Sequence, residues 1–153
     1  MAPFHKILVS TDFSNYSVEA VAVAAGLSRL CQAPLTVMTV YETLVVPSVP
    51  EGEVIPTPKV MVAAYERTRE LVHHAAEQAR VAGAFAVDAQ VLQGSPFTEI
   101  VTRAREGDYD LIVLGTHGRT GLKHFLLGSV AERVVRRAPC AVLTVRLPAA
   151  PAT

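Results

Sequence analysis

The sequence predicts a single α/β domain, a five-stranded parallel sheet with helices on both faces. Three observations predict it. Short apolar runs alternate with helix-length stretches along the whole chain. The run Leu111 to Leu114 is continuously apolar, as a parallel strand covered on both faces should be. Five strands alternate with four helices, a βαβ series whose connections force a parallel sheet. At 153 residues, half of them apolar and 18% charged, the chain is sized to bury about 70% of its unfolded surface as one domain. That domain is expected over residues 1–147, with 148–153 as a frayed tail.

The first strand is Ile7-Leu-Val9, ending in the polar triplet Ser10-Thr11-Asp12, which serves as loop punctuation or as ligand contacts. Ser14 or Ser17 caps the helix that follows, whose apolar positions are Val18, Val21, Ala22, Ala25 and Leu30, and Pro34 stops it. Leu35 to Tyr41 is rich in β-favouring residues and forms the second strand. Between Glu42 and Pro58 four prolines forbid a helix or a central strand, leaving a long surface connection or a lid. A helix over about 59–82 follows, with an apolar stripe at Met61, Ala64, Thr68, Leu71, Ala75 and Ala79, and Gly83 as its stop. His73 and His74 are adjacent and cannot share a helical face as paired ligands.

Phe85, Val87, Ala89 and Val91 alternate with polar residues, which marks a strand near a sheet edge. Ser95 and Pro96 then open a helix burying Phe97, Ile100, Val101 and Ala104 and ending at Gly107. The fourth strand feeds a glycine-rich turn, Gly115-Thr116-His117-Gly118-Arg119-Thr-Gly121. Gly128-Ser129 opens a last helix to Ala138 that buries Val130, Val134 and Val135. Ala141 to Arg146 is the closing strand.

Zero formal net charge removes any global attraction to nucleic acid or an anionic membrane. No run approaches the ~18 uninterrupted apolar residues of a membrane span, and the start reads as a strand rather than a secretory signal. Cys31 and Cys140 make no disulfide framework and are expected reduced and buried. A cytoplasmic protein without nucleic-acid or membrane partners is expected.

The chemistry concentrates between Asp110 and Glu132, where no acidic residue intervenes but Arg119, Lys123, His117 and His124 do. Glycines that bare backbone N–H groups, a helix N-terminus and local cations together suit an anion, phosphate first of all. Each piece alone is weak. Ser129 with Glu132 also has capping-box spacing, a structural explanation that needs no ligand. The chain lacks the P-loop motif, a Gly-x-Gly-x2-Gly after the first strand, Cys-x2-Cys, His-Glu-x2-His and the Gly-x-Ser-x-Gly elbow. If the order is 3-2-1-4-5, the winding reverses between strands one and four. Ser10-Thr11-Asp12 then comes beside Gly115 to Gly121.

Gly115-x2-Gly118-x9-Gly128-Ser129 resembles the nucleotide motif of the universal stress protein family, in its ATP-binding branch. Similarity extends over nearly the whole chain, through Ile7 to Ser14, Val40-Tyr41-Glu42, Gly94-Ser95-Pro96 and Pro139 to Val145. Ser10 departs from the proline or valine of many relatives. The resemblance implies the stated strand order and a homodimer through the closing strand, Ala141 to Arg146. It implies ATP as ligand, with Asp12 on the ribose and the backbone around Val40 on the adenine. Gly115, Gly118, Gly128, Ser129 and Val130 would hold the phosphates, with Thr116, His117 and Arg119 beside them. Mg or Mn bridging the phosphates is compatible with this, although no carboxylate cluster demands a metal.

Three functions follow for such a chain: a nucleotide-dependent regulator, a slow ATP hydrolase or phosphate- or adenylate-transferring enzyme, and a structural dimer whose glycines only turn the backbone. The first is favoured. Phosphoryl transfer needs a placed metal and a residue orienting the nucleophile, and Asp12, the acid nearest the loop, is already given to the ribose.

Overall fold

A computed structural model describes residues 1–42, 56–118 and 126–148. In chain order the elements are β1 (Ile7–Ser10), α1 (Asn15–Cys31), β2 (Leu35–Tyr41), α2 (Pro58–Val81), β3 (Val87–Gln93), α3 (Pro96–Glu106), β4 (Leu111–Gly115), α4 (Ser129–Arg137) and β5 (Ala141–Val145). All strand pairs are parallel and the order is β3-β2-β1-β4-β5, as expected. Phe85 falls outside β3 and stands exposed, because pairing with β2 begins at Leu35 opposite Val87.

The unbroken apolar runs of the central strands divide by alternation into two cores. Ile7, Val9, Val37 and Val113 face α1 and α2, whereas Leu8, Met38, Ile112 and Leu114 face α3 and α4. On the first face the helices contribute small residues: Ala20, Ala24 and Ala25 from α1, and Val72, Ala76 and Ala79 from α2. Size as well as hydropathy therefore sets which side of a helix turns inward. Of the expected α1 stripe, Val21 and Ala25 are buried as expected, whereas Val18, Ala22 and Leu30 point outward. Ser17, Ala20 and Ala24 are buried, while Val18 is 53% and Leu30 76% exposed.

Ser14 is the α1 cap, its Oγ accepting from the Ser17 N–H at 3.3 Å. The helix ends at Gln32 in the left-handed region, two residues before Pro34. In α2 only the second half reaches the sheet. Met61 and Ala64 of the expected stripe lie exposed, and the buried positions are Val72, Ala76 and Ala79. In α4 the buried residues are Ala131 and Val134; Val130 is half-buried and Val135 exposed, so the inward face lies closer to Ala131 than the apolar pattern implied. Phe97 of α3 is likewise half-buried, beneath the Arg133 guanidinium, which sits 4.1 Å from its ring centre. Cys31 and Cys140 are free and half-buried rather than buried. Residues 43–55, which hold most of the expected 42–58 connection, residues 119–125, and 149–153 of the tail lie outside the described residues.

Candidate functional site

The winding reverses at β1, whose neighbours β2 and β4 are reached by connections leaving in opposite directions, and a cleft opens at their carboxyl ends. Its volume is about 570 Å³, within the ~300–1,000 Å³ usual for small-molecule sites.

Its floor comes from the turn after β1. Thr11 still belongs to the sheet, its N–H donating to the Met38 carbonyl at 2.9 Å. Its buried hydroxyl meets the Ser17 hydroxyl at 2.9 Å and accepts from the Phe13 N–H at 3.0 Å. Asp12 Oδ1 accepts from the Ser14 N–H at 3.0 Å, so the carboxylate is held at the start of α1, where the helix dipole favours negative charge.

On the β2 side the sheet leaves a backbone pair unused. Met38 C=O turns to β1, and Tyr41 C=O turns to β3, accepting from the Gly94 N–H at 3.1 Å. Neighbouring residues of a strand point opposite ways, so Val40 directs both its N–H and its C=O to the β1 side. There β1 has ended: its register with β2 stops at Ser10 opposite Met38. Among the described residues neither Val40 group has a hydrogen-bond partner, and Val40 lines the cleft. One donor and one acceptor, side by side on rigid strand, are thus presented to a ligand.

The opposite wall is the glycine-rich segment after β4. Thr116 donates its N–H to the Val145 carbonyl at 2.9 Å, and its own C=O accepts from the Gly128 N–H at 2.6 Å. That second bond clamps the far end of the loop onto its beginning and brings the α4 N-terminus to the cleft. The three motif glycines are explained by close approach. A Cβ at Gly128 would lie 3.3 Å from the Thr116 carbonyl oxygen, and one at Gly118 would lie 2.8 Å from Asp12 Oδ2. At Gly115 a Cβ would strike the Tyr16 backbone of α1, 2.9 Å from the carbonyl carbon and 3.0 Å from the carbonyl oxygen. Gly115 therefore answers a packing need as well as lining the cleft. The His117 ring is placed by Tyr16, at 5.2 Å between centres, and by a 3.1 Å contact of Nδ1 with Thr116 Oγ1.

Ser129 does not cap α4. The N-cap is Gly128, and Glu132 pairs with Arg136 at 2.9 Å, so the capping-box alternative for the Ser129 and Glu132 spacing is not realised. Ser129 is the first helical residue, as expected of a helix opened by Gly128-Ser129. Its hydroxyl and the first N–H groups of α4, which have no helical acceptors, open on the cleft and suit an anion.

Ser10, Thr11 and Asp12, then Val40, then Gly115 to Gly118, then Gly128, Ser129 and Val130 all line this one cleft. Arg119, Lys123 and His124 lie outside the described residues. Sequence reasoning missed Phe13, Tyr41, Glu42 and Thr68, which also line it. Tyr41 and Glu42 were visible as the end of the second strand. Thr68 sat in the apolar stripe of α2, and Phe13 lay within the stretch Ile7 to Ser14 without being singled out. Among the described residues no group of three or more His, Cys, Asp or Glu could hold a metal ion. No described helix is long and apolar enough to cross a membrane.

The sequence profile of the universal stress protein family matches residues 3–146. Universal stress protein MJ0531 of Methanocaldococcus jannaschii is 34% identical over 146 residues, covering 95% of this chain and 84% of that one. The solved structure of the hypothetical protein MJ0577 is similar at a TM-score of 0.79 and 29% identity, covering 95% of this chain and 98% of that one. A universal stress protein solved in complex with cAMP is similar at 0.72 and 26% identity, covering 94% and 97%.

Proposed function

This chain belongs to the universal stress protein family, and we propose that it is a cytoplasmic, nucleotide-dependent regulator that binds ATP in the cleft between β1 and β4 and acts as a homodimer. One observation carries the reading: the Gly128 N–H bond to the Thr116 carbonyl draws the α4 N-terminus to the cleft that Gly118 and Asp12 share, opposite the unpaired groups of Val40. A binding site for adenosine and for an anion thus lies in one crevice.

In this reading Val40 N–H donates to adenine N1 and Val40 C=O accepts from the 6-amino group. Asp12 accepts from the ribose hydroxyls. The phosphates lie against the N–H groups of Gly118, Ser129 and Val130 and the Ser129 hydroxyl, with His117 alongside and Arg119 supplying charge. Mg or Mn, when bound, neutralises the phosphates. The cAMP complex of a relative 26% identical supports an adenine nucleotide as the ligand class. The regulator is preferred to a transferase or hydrolase because Asp12 is committed to the Ser14 N–H and the ribose. The other cleft acid, Glu42, stands at the end of β2, on the adenine side.

Isothermal titration with ATP and magnesium tests the reading. Saturable heat at or below millimolar ATP is expected, together with adenine nucleotide co-eluting with the purified protein. No heat at millimolar ATP would sink it. A turnover assay with metal, repeated on Asp12→Ala, separates the regulator from a hydrolase. Steady product release that depends on Asp12 would replace the regulator with the enzyme.

A further inference from the structure

Behind the turn that carries Asp12 lies a second cavity, of about 270 Å³, between α1 and α2. Phe13, Val18 and Val21 line one side, Leu71 and Ala75 the other, and the exposed His74 and Gln78 supply polar groups. Two residues, Thr11 and Phe13, line both this cavity and the nucleotide cleft. Phe13 is also the residue between them whose backbone is strained, with φ at +67°. A bulky residue rarely adopts that conformation. It is held here by the bonds from the Phe13 N–H to Thr11 Oγ1 and from the Ser14 N–H to Asp12 Oδ1. Strain of this kind gathers at ligand clamps and switches.

We propose that the α1/α2 cavity binds a small, largely apolar ring compound bearing one polar group, and that its occupancy is felt in the nucleotide cleft through Phe13. The coupling, though not the binding, rests on the nucleotide reading above. Size selects the occupant. The pocket opens to solvent beside the exposed Val18, His74 and Gln78, and its volume of about 270 Å³ suits one or two fused rings with one edge at the surface. A partner helix, about 10 Å across, does not fit. The ring packs on Phe13, Val21 and Leu71, and its polar atom hydrogen-bonds to His74 or Gln78. An occupant displaces solvent from beside Phe13 and stiffens the turn that presents Asp12 to the ribose. Nucleotide binding then has less conformational freedom to freeze out, and its affinity rises.

Indole is the probe. The protein has no tryptophan and four tyrosines, so indole excited to the red of tyrosine absorption is read against little protein background. A saturable blue shift is expected as indole leaves water. Val18→Asp changes an exposed residue of the first α1 turns, where an acid suits the helix dipole. It should weaken indole binding at least fivefold and leave the thermal melt unchanged. Ala75→Leu, which fills the cavity, should abolish the shift. No saturable shift in the native protein, or the same shift in both variants, overturns the site.

Calorimetry then gives the ATP dissociation constant with and without saturating indole. At least threefold tighter ATP binding is expected, mirrored by the same gain in indole affinity when ATP is bound. Equal ATP affinities overturn the coupling. A protein that binds indole but no ATP overturns the nucleotide reading and the coupling, and leaves the cavity assignment standing.

Discussion

Gly118 has no room for a larger residue: a Cβ there would sit 2.8 Å from Asp12 Oδ2. The obstructing atom is the tip of a flexible group, so Gly118→Val pushes the carboxylate aside and leaves the sheet intact. Titration of that variant should show ATP affinity down at least tenfold, about 1.4 kcal/mol, with an unchanged melt. Gly115→Ala is the contrasting case, because its Cβ meets the Tyr16 backbone. Backbone cannot swing away, and urea denaturation should show a loss of about 1–3 kcal/mol.

Asp110, at the other end of β4, gives a pH prediction. Partial burial raises its pKa. The N–H groups of Lys6 and His5, and the His5 ring at 3.2 Å, outweigh that and hold the carboxyl below its ordinary value. A group whose folded pKa is depressed stabilises above its unfolded pKa, about 3.9, and loses that contribution as pH falls through the folded one. The stability gap between the native protein and Asp110→Asn should therefore be full at neutral pH and close progressively below about pH 4, read by urea melts across that range. Cys140 nearby has its thiol pushed up by burial, and then by the Asp110 charge, which disfavours the reactive thiolate.

At the scale of elements, α4 shows how a motif supports two readings that only geometry separates. Ser129 and Glu132 have capping-box spacing, and yet Gly128 takes the cap position because its N–H is already bound to Thr116. Ser129→Ala should accordingly leave stability within about 0.5 kcal/mol, as for an ordinary surface change, and should weaken ATP binding in calorimetry. A stability loss of cap size, ~1 kcal/mol, with unchanged affinity would restore the capping box. The long helix α2 teaches a related lesson. Its hydrophobic period runs the full length, but the sheet reaches only its second half, and Val60, Met61 and Val62 remain exposed. Periodicity reports which face of a helix is apolar, not how far the neighbouring layer extends.

At the scale of the molecule, the sheet ends, among the described residues, in two open edges, β3 and β5. The β3 edge is partly blunted, since Arg80 Nη2 donates to the Val87 carbonyl at 3.0 Å. At β5, Ala141 and Leu143 lie exposed, and this is the edge proposed to pair with a second copy. Leu143→Arg should convert the dimer to monomer in sedimentation velocity and leave the circular dichroism of the fold in place. A native protein that sediments as a monomer would remove the dimer from the proposed function.

Strand number, helix number and parallel pairing were legible in the residues because apolar runs, prolines and glycines act locally, within a few positions of where they stand, whereas the strand order came from the family resemblance. The polar and glycine part of the cleft was legible too, since Ser10 to Asp12 and Gly115 to Gly118 stand where apolar strands end. Three things belonged to the tertiary structure alone. The inward face of α1 was settled by how near small residues let it approach the sheet. The availability of Val40 depended on β1 ending before β2 does. The strained Phe13 between two cavities required α2 to close the second one, from over fifty residues away in the sequence. Each is a relation between elements distant in sequence, and local propensity carries no term for where a distant neighbour stops.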